Sequence, residues 1–307
     1  MENPVLRQIL LGCYDDGSPL RHLRNQRGIL EMIISRLIAA WTSHIDLKTR
    51  GFLHLGRRRD APVRCIPGRV PRRIVFPPMW QNSNSTFHVN MMPFVMGDVT
   101  TLPEPCKRYA DMIEACLACD SSDEYGKVGY LTIHEGMVEA GTSQRRGGLH
   151  IEAGGGGGVA ERTEDFYWGM GSFQQNLIYG GIYMASTEAK SCAVYDVVID
   201  DSANVVGALG DIEHLRFVLA KHGIRPSVIR ANELIWMTDR TPHESLPLET
   251  TTFRQYFRLV TSGVSHWYAD HSTPNPLGTQ PTAKIVQGSK FQEEVDAAKA
   301  PRKDLSS

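Results

Sequence analysis

Hydrophobic positions change their period along this chain. In "GILEMIISRLIAAW" (28–41), Ile29, Ile33, Leu37 and Trp41 recur at helical spacing, and Leu30, Ile34 and Ile38 widen the stripe. Helical spacing returns at 104–119, where Pro105 falls near the first turn. It returns again at 211–223, where Asp211 is placed to cap the helix and Gly223 to end it, with Pro226 beyond. Elsewhere the period is two. The stretches 127–141, 148–153, 178–186, 192–200, 226–238 and 253–262 read as strands divided by Gly, Asn, Asp and Pro turns. Many short strands at this spacing predict a sandwich or barrel with the helices packed outside it.

The chain divides into a basic, partly helical N-terminal segment (1–75), a main domain (76–278) and a polar, weakly patterned tail (279–307) expected to fray. Arginines cluster in the first of these, in "RHLRNQR", "GRRRD" and "GRVPRR". They lack the interleaved aromatics of single-strand binders, and 33 Lys+Arg against 34 Asp+Glu leave no whole-chain field for nucleic acid or an anionic membrane. The apolar run at 28–41 is shorter than the ~20 residues that span a bilayer, and Glu31 and Arg36 interrupt it. The first residues show no charged head followed by an unbroken apolar run, so the expected location is cytoplasmic and reducing. The six cysteines then read as thiols, with the lone CxxC of Cys116 and Cys119 on the core face of a helix.

The chemistry concentrates in "RGGLHIEAG" (146–154). On an extended strand His150 and Glu152 project to one face and Leu149 and Ile151 to the other. An imidazole and a carboxylate side by side can chelate a divalent metal of intermediate hardness, and a second imidazole completes a two-His-one-carboxylate face. His243 is the candidate. An isolated HxE arises easily by chance in a chain with 11 histidines; the order that follows carries the weight. "GGGGG" (154–158) comes next, read equally as a loop beside a site or a plain connector, since no Lys-Ser/Thr follows to make it a phosphate loop. Several strands later comes His243 and then, after ten intervening residues, Arg254 in a strand.

In this order of residues, over roughly 127–262, the chain resembles the Fe(II)/2-oxoglutarate-dependent oxygenase superfamily. The resemblance implies a mainly β fold with flanking helices, a double-stranded β-helix of jelly-roll or cupin-like type. It implies His150, Glu152 and His243 as iron ligands, Arg254 as partner of the distal carboxylate of 2-oxoglutarate, and O₂ as the other co-substrate. Glu152 stands where Asp is commoner, as in clavaminate-synthase-like members. "RQY" replaces Arg-x-Ser, so Tyr256 takes the serine's place. The implied reaction is oxidation of an unactivated C–H bond of a small organic substrate by hydroxylation, desaturation or cyclisation, with amino-acid-derived or specialised metabolites as the superfamily's habitual substrates. Two other readings stay open. One is a non-catalytic β-barrel that binds a small molecule, where His150 and Glu152 only hydrogen-bond; the other is a keto-acid-independent cupin-type metalloenzyme, where Arg254 is structural.

Arg258 rivals Arg254 on the same strand face, about 13 Å along at ~3.3 Å per residue, too far for both to serve one carboxylate end. Arg145, Arg146 and Tyr183 are candidate substrate contacts, with Gln144 beside the first two and Trp168 as a possible pocket wall. His266, Asp270 and His271 form a second His/Asp group, but in a turn-rich stretch. His134 and Glu135 are neighbours on opposite strand faces, which argues against joint ligation.

Overall fold

The computed structural model describes Met32 and residues 47–49, 52–55, 74–79, 86–153, 166–175, 177–199 and 210–288. The helix expected at 28–41, apart from helical Met32, lies outside the described residues, as do the arginine clusters, the glycine run 154–158 and the tail beyond 288. Among the described residues no helix is long and apolar enough to cross a membrane.

The strands are β1 (Leu47–Thr49), β2 (Phe52–Leu55), β3 (Phe87–Val95), β4 (Val128–Val138), β5 (Ser172–Gln174), β6 (Leu177–Tyr179), β7 (Ile182–Ser186) and β8 (Cys192–Tyr195). They continue with β9 (Val197–Ile199), β10 (Pro226–Val228), β11 (Leu234–Met237), β12 (His243–Ser245), β13 (Thr252–Val260), β14 (His266–Tyr268) and β15 (Lys284–Val286). An antiparallel six-stranded sheet has the order β2-β11-β7-β13-β4-β3, and a second sheet the order β10-β8-β12. His150 extends the second sheet by bridging His243. From β4 onward the chain thus visits the large sheet, the small one at His150, the large (β7), the small (β8, β10), the large (β11), the small (β12) and the large again (β13). That alternation is the double-stranded β-helix.

Side-chain alternation gives the large sheet two different faces. Leu131, Ile133, Tyr183, Ala185, Phe257 and Leu259 look outward and are buried with Met112, Ile113, Cys116 and Leu117 of the helix Ala110–Leu117. Each large apolar side chain so covered contributes about 1.5–3 kcal/mol, which clamps the helix to the sheet. Cys116 and Cys119 are both in this core, as the helical spacing predicts. Glu135 shares the outer face and is fully buried, yet it is satisfied: Arg108 pairs with it, the Tyr109 hydroxyl donates to it at 2.5 Å and Gln255 Nε2 at 3.3 Å. A buried carboxylate needs such partners. Glu135 therefore belongs to a layer separate from His134.

Several expected elements are interrupted. The strand expected at 178–186 breaks at Gly180 and Gly181 (φ +59° and +98°), placing β6 and β7 in different sheets. A Cβ on Gly181 would come within 2.4 Å of Trp236 Nε1, so only glycine turns the chain there. The strand expected at 226–238 is broken before β11 by Asn232 (φ +58°), and 192–200 divides into β8 and β9. Asp211 does not cap the helix: a 3-10 turn, Glu213–Leu215, precedes the helix Arg216–Lys221, and the Asp211 carboxylate pairs with Arg146 instead. β15, within the stretch expected to fray, pairs in parallel with β14. Neither β3 nor its bulge between Val89 and Met92 is among the expected strands.

Candidate metal centre and co-substrate pocket

Main-chain pairing brings the distant ligands together. The His150 amide donates to the His243 carbonyl and the His243 amide to the His150 carbonyl, both at 3.0 Å, which sets the two rings 4.4 Å apart between centroids. The amides of Glu152 and Ala153 both donate to the Asp239 carbonyl at 2.9 Å, fixing the turn that carries the carboxylate. Leu149 and Ile151 point away, into an apolar cluster with Tyr195, Val197 and Ile212. As a result one donor atom from each of His150, Glu152 and His243 lies within 4.8 Å of the others, and all three residues are buried. Among the described residues this is the one such group, so His266, Asp270 and His271 do not form a second.

The protonation of the imidazoles suits a metal. His150 Nδ1 faces the Gly148 carbonyl at 2.7 Å and His243 Nδ1 faces the Thr241 carbonyl at 2.9 Å. Each Nδ1 therefore carries the proton and leaves the Nε2 lone pair toward the cluster. Burial holds both rings below the ordinary histidine pKa; for His150 the neighbouring His243 and Arg146 add to that shift. Two neutral imidazoles and a carboxylate form a donor set for a divalent ion such as Fe(II).

The two arginines of β13 have separate tasks. Arg258 Nη1 donates to Glu152 Oε1 at 2.8 Å and Nη2 to Thr132 Oγ1 at 3.4 Å, so this rival for the keto acid is committed to the Glu152 carboxylate. Arg254 is fully buried and its Nε donates to Ser186 Oγ at 3.0 Å, while Nη1 and Nη2 have no hydrogen-bond partner. Arg254 lines the same pocket as His150, Glu152 and His243, a space of about 660 Å³ partly open to solvent. A guanidinium stripped of water and left unpaired is costly; burial accordingly depresses its pKa. Tyr256, buried, lies beside it, its ring centroid 5.3 Å from Arg254 Cζ and 5.4 Å from Arg145 Cζ.

Of the sequence candidates, His150, Glu152, His243, Arg254, Tyr256, Arg145, Arg146 and Trp168 all line this pocket. Arg146 is already paired with Asp211. Tyr183 is a correction: it faces the outer core, its hydroxyl donating to Asp120 Oδ2 at 3.2 Å, because the inner face of β7 belongs to Met184 and Ser186. Asn90, Met91, Ser186 and Thr132 were not singled out by sequence. Strand alternation places Thr132 with His134 on the inner face, but nothing in the residue pattern announces the bulge that turns Asn90 and Met91 to the pocket.

His134 lies 4.6 Å, ring to ring, from His88. Its pKa is pushed down to about 4, first by burial, then by His88, Arg145 and Arg254. The unfolded chain takes up this proton near pH 6.5, whereas the folded protein does not until about 4. The stabilising contribution is thus complete above 6.5 and is lost as pH falls through that window. Between pH 7 and 5 the melting midpoint of the metal-free protein is expected to fall further than that of His134→Asn. Parallel curves would assign the acid sensitivity elsewhere.

No protein-family model matches the chain, and no curated protein matches it. Among solved structures it is similar to the non-haem α-ketoglutarate-dependent epimerase SnoN from nogalamycin biosynthesis (11% identity, 75% of this chain and 83% of that one, TM-score 0.32). It is also similar to HygX from Streptomyces hygroscopicus with nickel and 2-oxoglutarate bound (11%, 84% and 98%, TM-score 0.37). A third is the Arabidopsis thaliana dioxygenase for auxin oxidation 1 with 2-oxoglutarate (9%, 64% and 68%, TM-score 0.30). At such identities and TM-scores the likeness carries no weight for this chain's own chemistry, which rests on its side chains.

Proposed function

We propose that the protein is an Fe(II)- and 2-oxoglutarate-dependent oxygenase that oxidises a small organic substrate. The observation that carries this reading is the pair of unpartnered, buried Nη donors of Arg254 in the same pocket as His150, Glu152 and His243. In this reading His150, Glu152 and His243 hold the iron, and Arg254, steadied by Ser186, holds the far carboxylate of the keto acid. Its planar fork suits a carboxylate bidentately. Charge supports the pairing: Fe(II) with one carboxylate ligand is net +1, the keto-acid dianion brings −2, and one guanidinium restores neutrality. Bound iron with 2-oxoglutarate and O₂ would supply an oxidant strong enough for an unactivated C–H bond, with loss of CO₂ from the keto acid. The chain's own part is to hold neutral imidazoles ready, orient the carboxylate through Arg258 and position the substrate away from bulk water. Hydroxylation, desaturation and cyclisation are all within this chemistry, with an amino-acid-derived or specialised metabolite as the substrate.

A keto-acid-independent cupin-type enzyme would use Arg254 structurally, which leaves its two unpartnered donors without a purpose. The test is anaerobic. Adding Fe(II) and then 2-oxoglutarate to the purified protein is expected to produce the weak visible charge-transfer band of the chelate, absent in His243→Ala. A parent protein that gives no band returns the site to the metalloenzyme or plain binding reading.

A further inference from the structure

The described lining of the pocket holds more positive charge than iron and keto acid can use. Among the described residues, Arg145, Arg254 and Arg258 line it against a single acid, Glu152, once Arg146 is set aside with Asp211. With neutral His150 and His243 the wall is net +2, and Fe(II) plus a 2-oxoglutarate dianion leaves that excess unchanged. Arg254 is assigned to the keto acid and Arg258 is hydrogen-bonded to Glu152; Arg145 has neither role. Among the described residues it makes no ion pair, and its one hydrogen bond, Nη2 to Asn90 Oδ1, is a long 3.4 Å. Burial, with Arg258 nearby, pushes its pKa down to about 10, which still leaves it charged at neutral pH.

The position of Arg145 is built. Asn90 lies in the β3 bulge beside Met91, which takes φ +48°, a left-handed conformation that a methionine rarely adopts. The Asn90 amide donates to Thr273 Oγ1 at 2.9 Å and its Nδ2 to the His271 carbonyl at 2.8 Å, so that Oδ1 accepts from both Thr132 Oγ1 and Arg145 Nη2 at 3.4 Å. On its other side the guanidinium lies by the Tyr256 ring, 5.4 Å from its centroid. Bulge, amide and ring thus hold a cation at the pocket without supplying an anion.

We propose that Arg145, oriented by Asn90 and Tyr256, is the subsite for a carboxylate of the primary substrate, so that the substrate is a small organic acid. The assignment rests on the keto-acid reading only for giving Arg254 to 2-oxoglutarate. The guanidinium fork matches a carboxylate in two parallel bonds, and a neutral isostere would leave it unpaired.

The test uses isobutyrate and its neutral analogue isobutyramide as probes of the full-length protein loaded with Mn(II) and 2-oxoglutarate, read by paramagnetic relaxation of the probe methyl protons. Isobutyrate is expected to be enhanced at least about tenfold more than isobutyramide, the loss of one charge-assisted contact being worth about that factor. Arg145→Gln is expected to erase the preference and Arg145→Lys to keep part of it, while calorimetric 2-oxoglutarate binding stays unchanged in both. Equal enhancement of acid and amide overturns the proposal, as does a preference that survives Arg145→Gln. Should Arg145→Gln melt far below the parent, Asn90→Ala serves in its place, with a weakened preference expected and an unchanged one counting against the subsite. If 2-oxoglutarate fails to bind the Mn(II) protein, the oxygenase reading falls by itself, and the acid-amide comparison by saturation-transfer NMR on metal-free protein still decides the role of Arg145.

Discussion

Arg254→Met is expected to melt higher than the parent protein in the absence of ligands and to lose its response to 2-oxoglutarate. The first effect follows from burial. Arg254 has no exposed surface and two unpartnered donors, and methionine of comparable length fills the space without a charge to desolvate. A gain of about 1 kcal/mol would raise the midpoint by roughly 1.5 °C in a chain of this size. The second effect follows from what the donors await. Two charge-assisted bonds to a carboxylate, at about 1.5–3 kcal/mol each, imply at least a hundredfold weaker keto-acid binding, measured by calorimetry on the Mn(II) protein. Metal affinity alone should be preserved, since Arg254 touches none of the three ligands. On the keto-acid reading, stability is traded for a site that is comfortable only when filled. A lower midpoint together with unchanged keto-acid affinity would make Arg254 an ordinary structural residue.

The second large effect concerns Glu152 and Arg258, both more than nine-tenths buried and joined at 2.8 Å. Glu152→Ala leaves Arg258 with an uncompensated charge and is expected to destabilise the metal-free protein by about 3–5 kcal/mol. Adding Arg258→Met should recover most of that loss in denaturant titrations. The metal offers a sharper reading. In Arg258→Met the Glu152 carboxylate loses this cation and a divalent ion compensates more of its charge, so the metal-induced rise in melting temperature should exceed that of the parent protein. Equal rises in the two proteins would mean that Arg258 does not answer the charge of Glu152.

The candidate ligand set was legible because it depends on parity and order. Period-two alternation puts His150 and Glu152 on one face irrespective of partners, and His243 and Arg254 follow at spacings that can be counted along the chain. Parity fails where the backbone turns. Counting through Gly180 and Gly181 does not say which face Tyr183 takes, and their positive φ values send it to the outer core. The bulge at Asn90 and Met91 resets parity in the same way, so that wall of the pocket stayed hidden. Partnership was the other blind spot. Strand spacing places Arg258 beside Arg254, but only a distance assigns it to Glu152. Asp211 has the composition of a helix cap, and tertiary contact with Arg146 overrides it.

The oxygens that hold the two imidazoles upright belong to Gly148 and Thr241 as peptide carbonyls, a group every residue carries. The instruction for how the ligands point is therefore written in the route of the polypeptide, with Gly148 (φ +78°) as one of the few places where that route demands a particular residue. Substitutions of the flanking side chains are expected to leave the orientation of the two rings intact. Descendants of this architecture should be recognisable by shape and by a handful of scattered side chains long after their alignable text has worn away.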